Sequence, residues 1–188
     1  MKIFLLILIL ILNIQSWTKA DDIRDFEIEG ISVGDNLLDH FTLNEVNNAY
    51  KTVYPKSNKF YGLQFNLSNY ELYKHIQVHL KSDSNYIVSS IIGGEFFDDV
   101  NECYPKQKTI VKDLKKIFKN AEFNEGNNVY PDDPKSTIAI SEFYLNNFEI
   151  IVYCTNWSEK AESNGSTDNL RVEISTIEFS DFLRNEAY

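Results

Sequence analysis

Apolar and polar residues alternate along several stretches of the chain, with the period of two that is typical of half-buried β-strands. In the first half, strands are predicted over residues 26–34, 59–67, 70–81 and 85–97. Turn-forming residues separate the last three of them. The segment 51–59, which contains Pro55, lacks this alternation and is predicted to be a connector. Gly93 and Gly94 interrupt an apolar run and indicate a bulge or bend.

Apolar residues spaced three, four and seven apart predict the longest helix, over residues 101–119. Its basic residues come late, in the order that the helix dipole favours. Pro105 must lie in the first turn, because a proline inside a helix costs about 3 kcal/mol. Two shorter helices are predicted over residues 36–41 and 43–50. The second starts with a capping box formed by Thr42 and Glu45.

The C-terminal part of the chain is predicted to combine polar loops with a hairpin. Residues 121–135 contain glycine, asparagine and two prolines and are predicted to be a long loop. Strands are predicted over residues 136–145, 148–155 and 170–179, with a polar loop over 158–168. Asn146 and Asn147 suit the tight turn of the hairpin. Ser180 is predicted to cap a terminal helical turn.

This order of elements predicts an α+β fold with two layers, in which helices cover one face of an antiparallel sheet or sheets. The chain also divides into two similar halves, each a helical segment followed by three strands. We predict one compact domain over residues 21–188, with a subdivision into 21–97 and 98–188 as the alternative. The pattern does not decide whether the halves share a sheet.

The first twenty residues have the parts of a secretory signal peptide. A lysine precedes an apolar run over residues 3–12, and the segment ends in a small residue, Ala20. The run is shorter than the roughly 20 residues that a spanning helix needs. We predict cleavage between Ala20 and Asp21, no stable membrane insertion afterwards, and a periplasmic or secreted protein.

The chain is acidic, and removal of the signal peptide makes it more so. The 188 residues include 18 basic and 28 acidic ones, for a net charge of −10. Residues 1–20 contain two lysines and no acid, so the mature chain of 168 residues carries −12. An excess of negative charge opposes binding to nucleic-acid phosphates, and we expect no nucleic-acid partner. Most of these acids are expected to be solvated surface residues.

The chain has two cysteines, Cys103 and Cys154, and both lie in the exported part. An even pair in an oxidising compartment predicts a disulfide. Cys103 lies on the apolar face of the long helix and Cys154 on the apolar face of a strand, so both point toward a shared core. The alternative is a catalytic thiol, but no second cysteine lies at the spacing of a redox or metal motif.

No convergent catalytic set is visible in the sequence. His75 and His79 are four residues apart on a predicted strand, so their rings would be roughly 13 Å apart and solvent-facing. Gly30–Gly34 matches the pattern Gly-x-Ser-x-Gly around Ser32. A nucleophile elbow, however, needs a parallel sheet and a following helix. We predict no catalytic residues and no cofactor.

Acidic residues of the polar loop are the remaining candidates for chemistry. Glu125, Asp132 and Asp133 offer hard oxygen donors, and a weak calcium site is the functional hypothesis for them. They do not have the spacing of an EF-hand loop. A Pro-Asp-Asp-Pro turn explains the two aspartates without a metal.

Two segments carry a resemblance to known proteins. Residues 25–39 and 102–108 resemble segments of small, exported, uncharacterised proteins from low-GC marine bacteria, and this resemblance implies no activity. The repeated order of helix then strands, and Gly30-Ile31-Ser32 before a short helix, are similar to β-lactamase inhibitor proteins and to outer-membrane assembly lipoproteins of the SmpA type. This chain lacks the lipid-attachment cysteine of the latter and has additional polar loops.

The sequence therefore leaves three hypotheses of function. The first is an exported, non-enzymatic protein that binds a protein or an envelope component. The second is a small extracytoplasmic hydrolase or metal-dependent protein that uses the loop carboxylates. The third is a structural accessory domain. The oligomeric state is left open.

Overall fold

The computed structural model describes residues 26–66, 72–130 and 132–188. The predicted signal peptide and its cleavage site between Ala20 and Asp21 lie outside the described residues. The turn predicted between the strands 59–67 and 70–81 lies outside them as well. Among the described residues, no helix is long and apolar enough to cross a membrane.

The described part of the chain forms one antiparallel sheet of eight strands. The strands are β1 (Tyr50–Tyr54), β2 (Ser57–Asn66), β3 (His75–Lys81), β4 (Val88–Phe97), β5 (Glu122–Tyr130), β6 (Asp133–Tyr144), β7 (Phe148–Asn156) and β8 (Asp168–Thr176). Their order in the sheet is β1-β2-β3-β4-β8-β7-β6-β5. The pairing of β4 with β8 joins the two halves, so both halves belong to one continuous sheet.

Helical segments precede each group of four strands. The α-helices are α1 (Leu43–Asn48), α2 (Cys103–Ile117), α3 (Glu159–Ser163) and α4 (Ile177–Asn185), and 3-10 turns span Leu37–Asp39 and Val100–Glu102. The α+β prediction agrees with this content, in which the sheet dominates. The predicted halves of three strands each are corrected to four strands each.

The two additional strands lie at the edges of the sheet. The predicted connector 51–59 holds β1 and the start of β2, and the predicted loop 121–135 holds β5. Nearly all side chains of β5 are exposed, so the strand leaves no alternation of apolar residues in the sequence. Its backbone pairing with β6 defines it instead.

The stretch 26–34 is not a strand. Ile28 and Ile31 form an isolated bridge across a turn in which Glu29 and Gly30 have φ of 53° and 77°. Ile28, Ile31 and Val33 are nevertheless buried in the core. The alternating pattern of this stretch therefore comes from a loop that is buried on one side. Burial on one side produces the same pattern of apolar residues in a loop as in a strand.

The glycines of β4 do not form a bulge. Gly93 and Gly94 pair regularly with β3 and with β8, and the irregularity of the β3–β4 ladder lies between His79 and Leu80. Gly93 is needed because the ring of Tyr73 packs closely against the backbone of β4 at this position. A Cβ at this position would lie 2.7 Å from ring carbons of Tyr73.

The terminal helix is longer than predicted and begins earlier. Thr176, whose side chain accepts from the Phe179 N–H, caps α4, and Ser180 lies buried within the helix.

The predicted starts of two other helices agree with the structure. The capping box of Thr42 and Glu45 is confirmed, and Pro105 lies in the first turn of α2.

Helices lie on both faces of the sheet, which corrects the prediction of one covered face. Alternate residues of a strand point to opposite faces. On the first face, Val78 and Val152 belong to the main core, against which α1 and α2 pack. On the second face, α4 covers only the end that carries Tyr54 and Phe60.

A disulfide joins the first-face helix α2 to the sheet, as the sequence predicted. Cys103 starts α2, Cys154 lies on β7, their Cα atoms are 6.0 Å apart, and both are fully buried. Four residues further along α2, Gln107 Nε2 donates to the carbonyls of Ala139 at 2.9 Å and Val152 at 3.0 Å. A covalent bond and two hydrogen bonds therefore fix α2 over β6 and β7.

Replacing both cysteines (Cys103→Ala with Cys154→Ala) is expected to lower the free energy of unfolding by about 4 kcal/mol. The reason is that the bridge closes a long loop in the unfolded chain. Urea denaturation of the variant and the oxidised wild type measures the difference. Two titratable thiols in the unreduced, unfolded wild type would contradict the bridge.

Candidate functional site

The structure does not bring the predicted loop carboxylates together. Glu125 pairs with Ser141, whereas Asp133 pairs with Tyr130 at the other end of the same ladder. Five residues of strand separate Glu125 from Tyr130, which is roughly 16 Å. No group of three His, Cys, Asp or Glu side chains among the described residues is placed to hold a metal ion. The expected calcium site of Glu125, Asp132 and Asp133 is therefore not assembled.

Asp133 has a structural role in the described chain. Its Oδ2 accepts hydrogen bonds from Ser136 Oγ at 2.5 Å and Ser158 Oγ at 2.6 Å. These hydrogen bonds, the one from Ser136 above all, lower the pKa of the carboxyl group. Ser158 also caps α3, where its Oγ accepts from the Ala161 N–H at 3.2 Å. Asp133 thus ties the start of β6 to α3.

Ser32, at the centre of the Gly-x-Ser-x-Gly match, is buried, and its hydroxyl donates to the Phe26 carbonyl at 3.2 Å.

His75 and His79 were expected to face solvent, but neither ring is fully exposed. His75 is half-buried, and His79 is 4% exposed. His79 stacks on Phe179 of α4 at 4.5 Å, and its Nδ1 has no hydrogen-bond partner. Burial lowers the pKa of His79 to about 3.

A second buried polar group lies near the end of the second face that α4 covers. Glu173 is 8% exposed, and its Oε1 lies 2.7 Å from Ser175 Oγ and 3.4 Å from Ser90 Oγ. Burial raises the pKa of Glu173, against the opposing hydrogen bonds of both serines. Arg171 also opposes this rise, so two hydroxyl groups and a cation partly offset the burial of the carboxyl group.

The other end of the second face carries a group of aromatic side chains around an arginine. We call it the Arg171 patch; its members are His75, Phe96, Tyr130, Tyr153, Trp157 and Arg171. Arg171 lies opposite Gly94 on β4 and opposite Tyr153 on β7. Phe96 follows two residues after Gly94 and is 48% exposed. The strands β3, β4, β8 and β7 therefore bring the patch together.

Ring contacts hold the margins of the patch. The ring of His75 lies 6.2 Å from that of Phe96, and its Nδ1 lies 2.8 Å from Asn66 Oδ1. Tyr130 and Trp157 stack at 4.6 Å. The backbone N–H of Trp157 donates to Asp168 Oδ1 at 2.7 Å. These contacts within the chain hold the aromatic rings in place.

Arg171 forms no salt bridge within the described part of the chain, although its guanidinium donates to the Tyr153 hydroxyl and its charge opposes the rise in the pKa of Glu173. The guanidinium is half-buried, and none of the salt bridges among described residues includes it. Its charge instead acts on its neighbours. Burial and then Arg171 lower the pKa of His75. Burial raises the pKa of Tyr153 to about 12, and Arg171 opposes that rise.

A pocket of about 370 Å³ lies beside Arg171. Its lining comprises Phe96, Trp157, Gly165, Ser166, Thr167, Asn169 and Arg171. Asn169 is 3% exposed; its Nδ2 donates to the Thr167 carbonyl at 2.9 Å, whereas its Oδ1 has no partner among the described residues. The pocket thus combines a cation, an unsatisfied acceptor and two aromatic walls.

A larger hollow of about 550 Å³ lies beside α2 on the first face. Its lining is mainly apolar and includes Leu72, Tyr73 and Ile110. Its two charged lining residues, Lys106 and Glu95, are paired with each other at 2.5 Å. It therefore offers no free charge to a ligand, in contrast to the Arg171 pocket.

The sequence interpretation missed the Arg171 patch. Its members alternate with core residues, as Tyr153 does with Val152 and Arg171 with Val172, so they fall on the side of each strand that was expected to face solvent. The signal was the presence of large aromatic residues at these outward positions. Which of them become neighbours depends on the β4–β8 pairing, and the pattern did not decide that pairing.

No protein-family model, curated protein or solved structure matches this chain. The function is therefore argued from the described surface itself.

Replacing Glu173 with glutamine is expected to stabilise the protein at neutral pH and to have little effect near pH 4. The folded pKa lies above the ordinary value of 4.5. The stability contribution of the neutral acid is therefore complete below that value and is lost as the pH rises through the folded pKa. Between the two pKa values the loss is about 1.4 kcal/mol per pH unit.

Urea denaturation of E173Q and wild type from pH 4 to pH 7.5 measures this difference, with the exposed Glu159→Gln as the matched control. A stability difference that does not grow with pH would contradict a raised pKa of Glu173 in the folded protein.

Proposed function

We propose that this protein is an exported, non-enzymatic binding protein that recognises a protein or an envelope component in the periplasm or outside the cell. The Arg171 patch is its recognition surface. One observation carries the proposal: the end of the second face away from α4 displays an arginine that forms no salt bridge in the described chain, among aromatic rings that contact one another.

The residue types of the patch favour recognition. Tyrosine, tryptophan and arginine are the residues that most often dominate binding energy at protein interfaces. Interfaces are also enriched in phenylalanine relative to the remaining surface. Here most of them lie on or beside paired strands, and a rigid scaffold lowers the entropic cost of ordering them on binding.

The buried disulfide supports the predicted export, because disulfides persist in oxidising compartments. The enzyme alternative has no comparable support, since the carboxylates on which it depends lie apart.

Site-specific photo-crosslinking tests the proposed surface. A benzoylphenylalanine probe replaces Phe96 in the patch in one variant and Leu43 in the other. Leu43 is a matched control because it is 52% exposed and lies on α1, at the first face. Both variants are irradiated with an envelope extract of the producing cells, after thermal unfolding has shown that both retain the wild-type midpoint.

Discrete adducts are expected at position 96 and absent at position 43, because only the patch would contact the partner. The adducts are identified by mass spectrometry after tryptic digestion. Equal labelling at both positions, or adducts at position 43 alone, would contradict the proposal.

A further inference from the structure

We infer that the pocket beside Arg171 binds a carboxylate of a partner protein together with a neighbouring peptide N–H. The inference rests on the proposed function and specifies the chemistry that the recognition surface would select. Three features of the pocket carry it: a guanidinium that forms no salt bridge with a described residue, an amide oxygen without a partner among the described residues, and two aromatic walls.

The guanidinium selects an anion with a single charge. Arginine presents planar paired donors that match a carboxylate in a bidentate arrangement. Arg171 is half-buried, so water screens such a contact less than it would on the open surface. A doubly charged phosphate is a poorer match, because Arg171 is the only basic residue among the described residues that line the pocket and the chain carries a net charge of −10.

The side-chain oxygen of Asn169 favours a ligand that has a hydrogen-bond donor next to that anion. Asn169 Oδ1 is buried, and no described residue bonds it. Buried polar atoms are nearly always hydrogen-bonded in folded proteins, so an unpartnered one in a pocket wall calls for a donor from outside the chain. Asn169 lies two residues before Arg171 on the same face of β8. A peptide segment supplies a carboxylate and an N–H at such a separation.

The aromatic walls favour a peptide over an acidic sugar. Sugars stack on free aromatic ring faces, but one face of Trp157 is already covered by Tyr130 at 4.6 Å. Phe96, which is 48% exposed, forms another wall. The volume of about 370 Å³ accommodates one apolar side chain in addition to the carboxylate.

Titration of the ¹⁵N-labelled mature protein, with its disulfide intact, tests this assignment by NMR. The probe is N-acetyl-phenylalanine, which carries a carboxylate, an amide N–H and an apolar ring. N-acetyl-phenylalaninamide lacks the carboxylate and is otherwise matched. Galacturonate represents an acidic sugar. The readout is the amide shifts of Ser166, Asn169 and Arg171.

N-acetyl-phenylalanine is expected to shift these amides in a saturable way, and the amide analogue is expected to bind at least tenfold more weakly. Arg171→Gln is expected to abolish the difference between the two probes. Lys160→Gln removes a charge from the neighbouring α3 and should leave that difference unchanged. An unaltered spectrum away from the patch shows that each variant is folded.

Equal affinity for the two phenylalanine probes, or unchanged carboxylate preference in Arg171→Gln, would overturn the inference. So would saturable binding of galacturonate alone, which would assign the pocket to acidic sugars. If crosslinking occurs at Phe96 while N-acetyl-phenylalanine does not bind, only the carboxylate assignment fails. If the probe binds and position 96 gives no adduct, the proposed function fails instead.

Discussion

The antiparallel pairing of β4 with β8 is the contact on which the rest of the structure depends. It connects two groups of four strands that are separated in the sequence by the whole of α2, and it converts them into one sheet. It also sets the neighbours across the seam. Ser90 faces Ser175, and Phe96 faces Asn169, so both the buried polar group and the pocket beside Arg171 are products of this one register.

The two ends of the second face differ in whether α4 covers them. At one end α4 buries His79 beneath Phe179, where the imidazole must stay neutral. At the other end the same strands leave Arg171 and Phe96 without such a cover in the described chain. Polar residues at outward positions of β3 and β8 are therefore covered by α4 at one end and not at the other. The position of one short helix decides between these outcomes.

The sequence predicted the elements whose side chains are buried on one side. The β6–β7 hairpin, α2 and the disulfide follow from local periodicity, cysteine parity and compartment. The edge strands β1 and β5 escaped prediction because backbone pairing, rather than side-chain burial, holds them in place. His79 was placed in solvent because nothing local indicates that α4 returns over the sheet.

The candidate site escaped prediction for a related reason. Phe96 and Arg171 are 75 residues apart in the chain, and neither lies in a motif. Only the sheet order makes them neighbours. In contrast, Glu125, Asp132 and Asp133 are close in sequence but are spread along an extended hairpin. Residues that are close in sequence are therefore far apart in this hairpin, because a β-strand separates residues by about 3.3 Å at each step.

We propose that the end of the second face near Arg171 contacts a partner. Amide hydrogen exchange of the mature protein, alone and bound to a partner identified by crosslinking, tests this contact. We expect slowed exchange in residues 164–168, which border the pocket, and unchanged exchange in α1 and the exposed side of α2. Slowed exchange confined to α1 and α2 would place the partner on the first face and contradict the proposal.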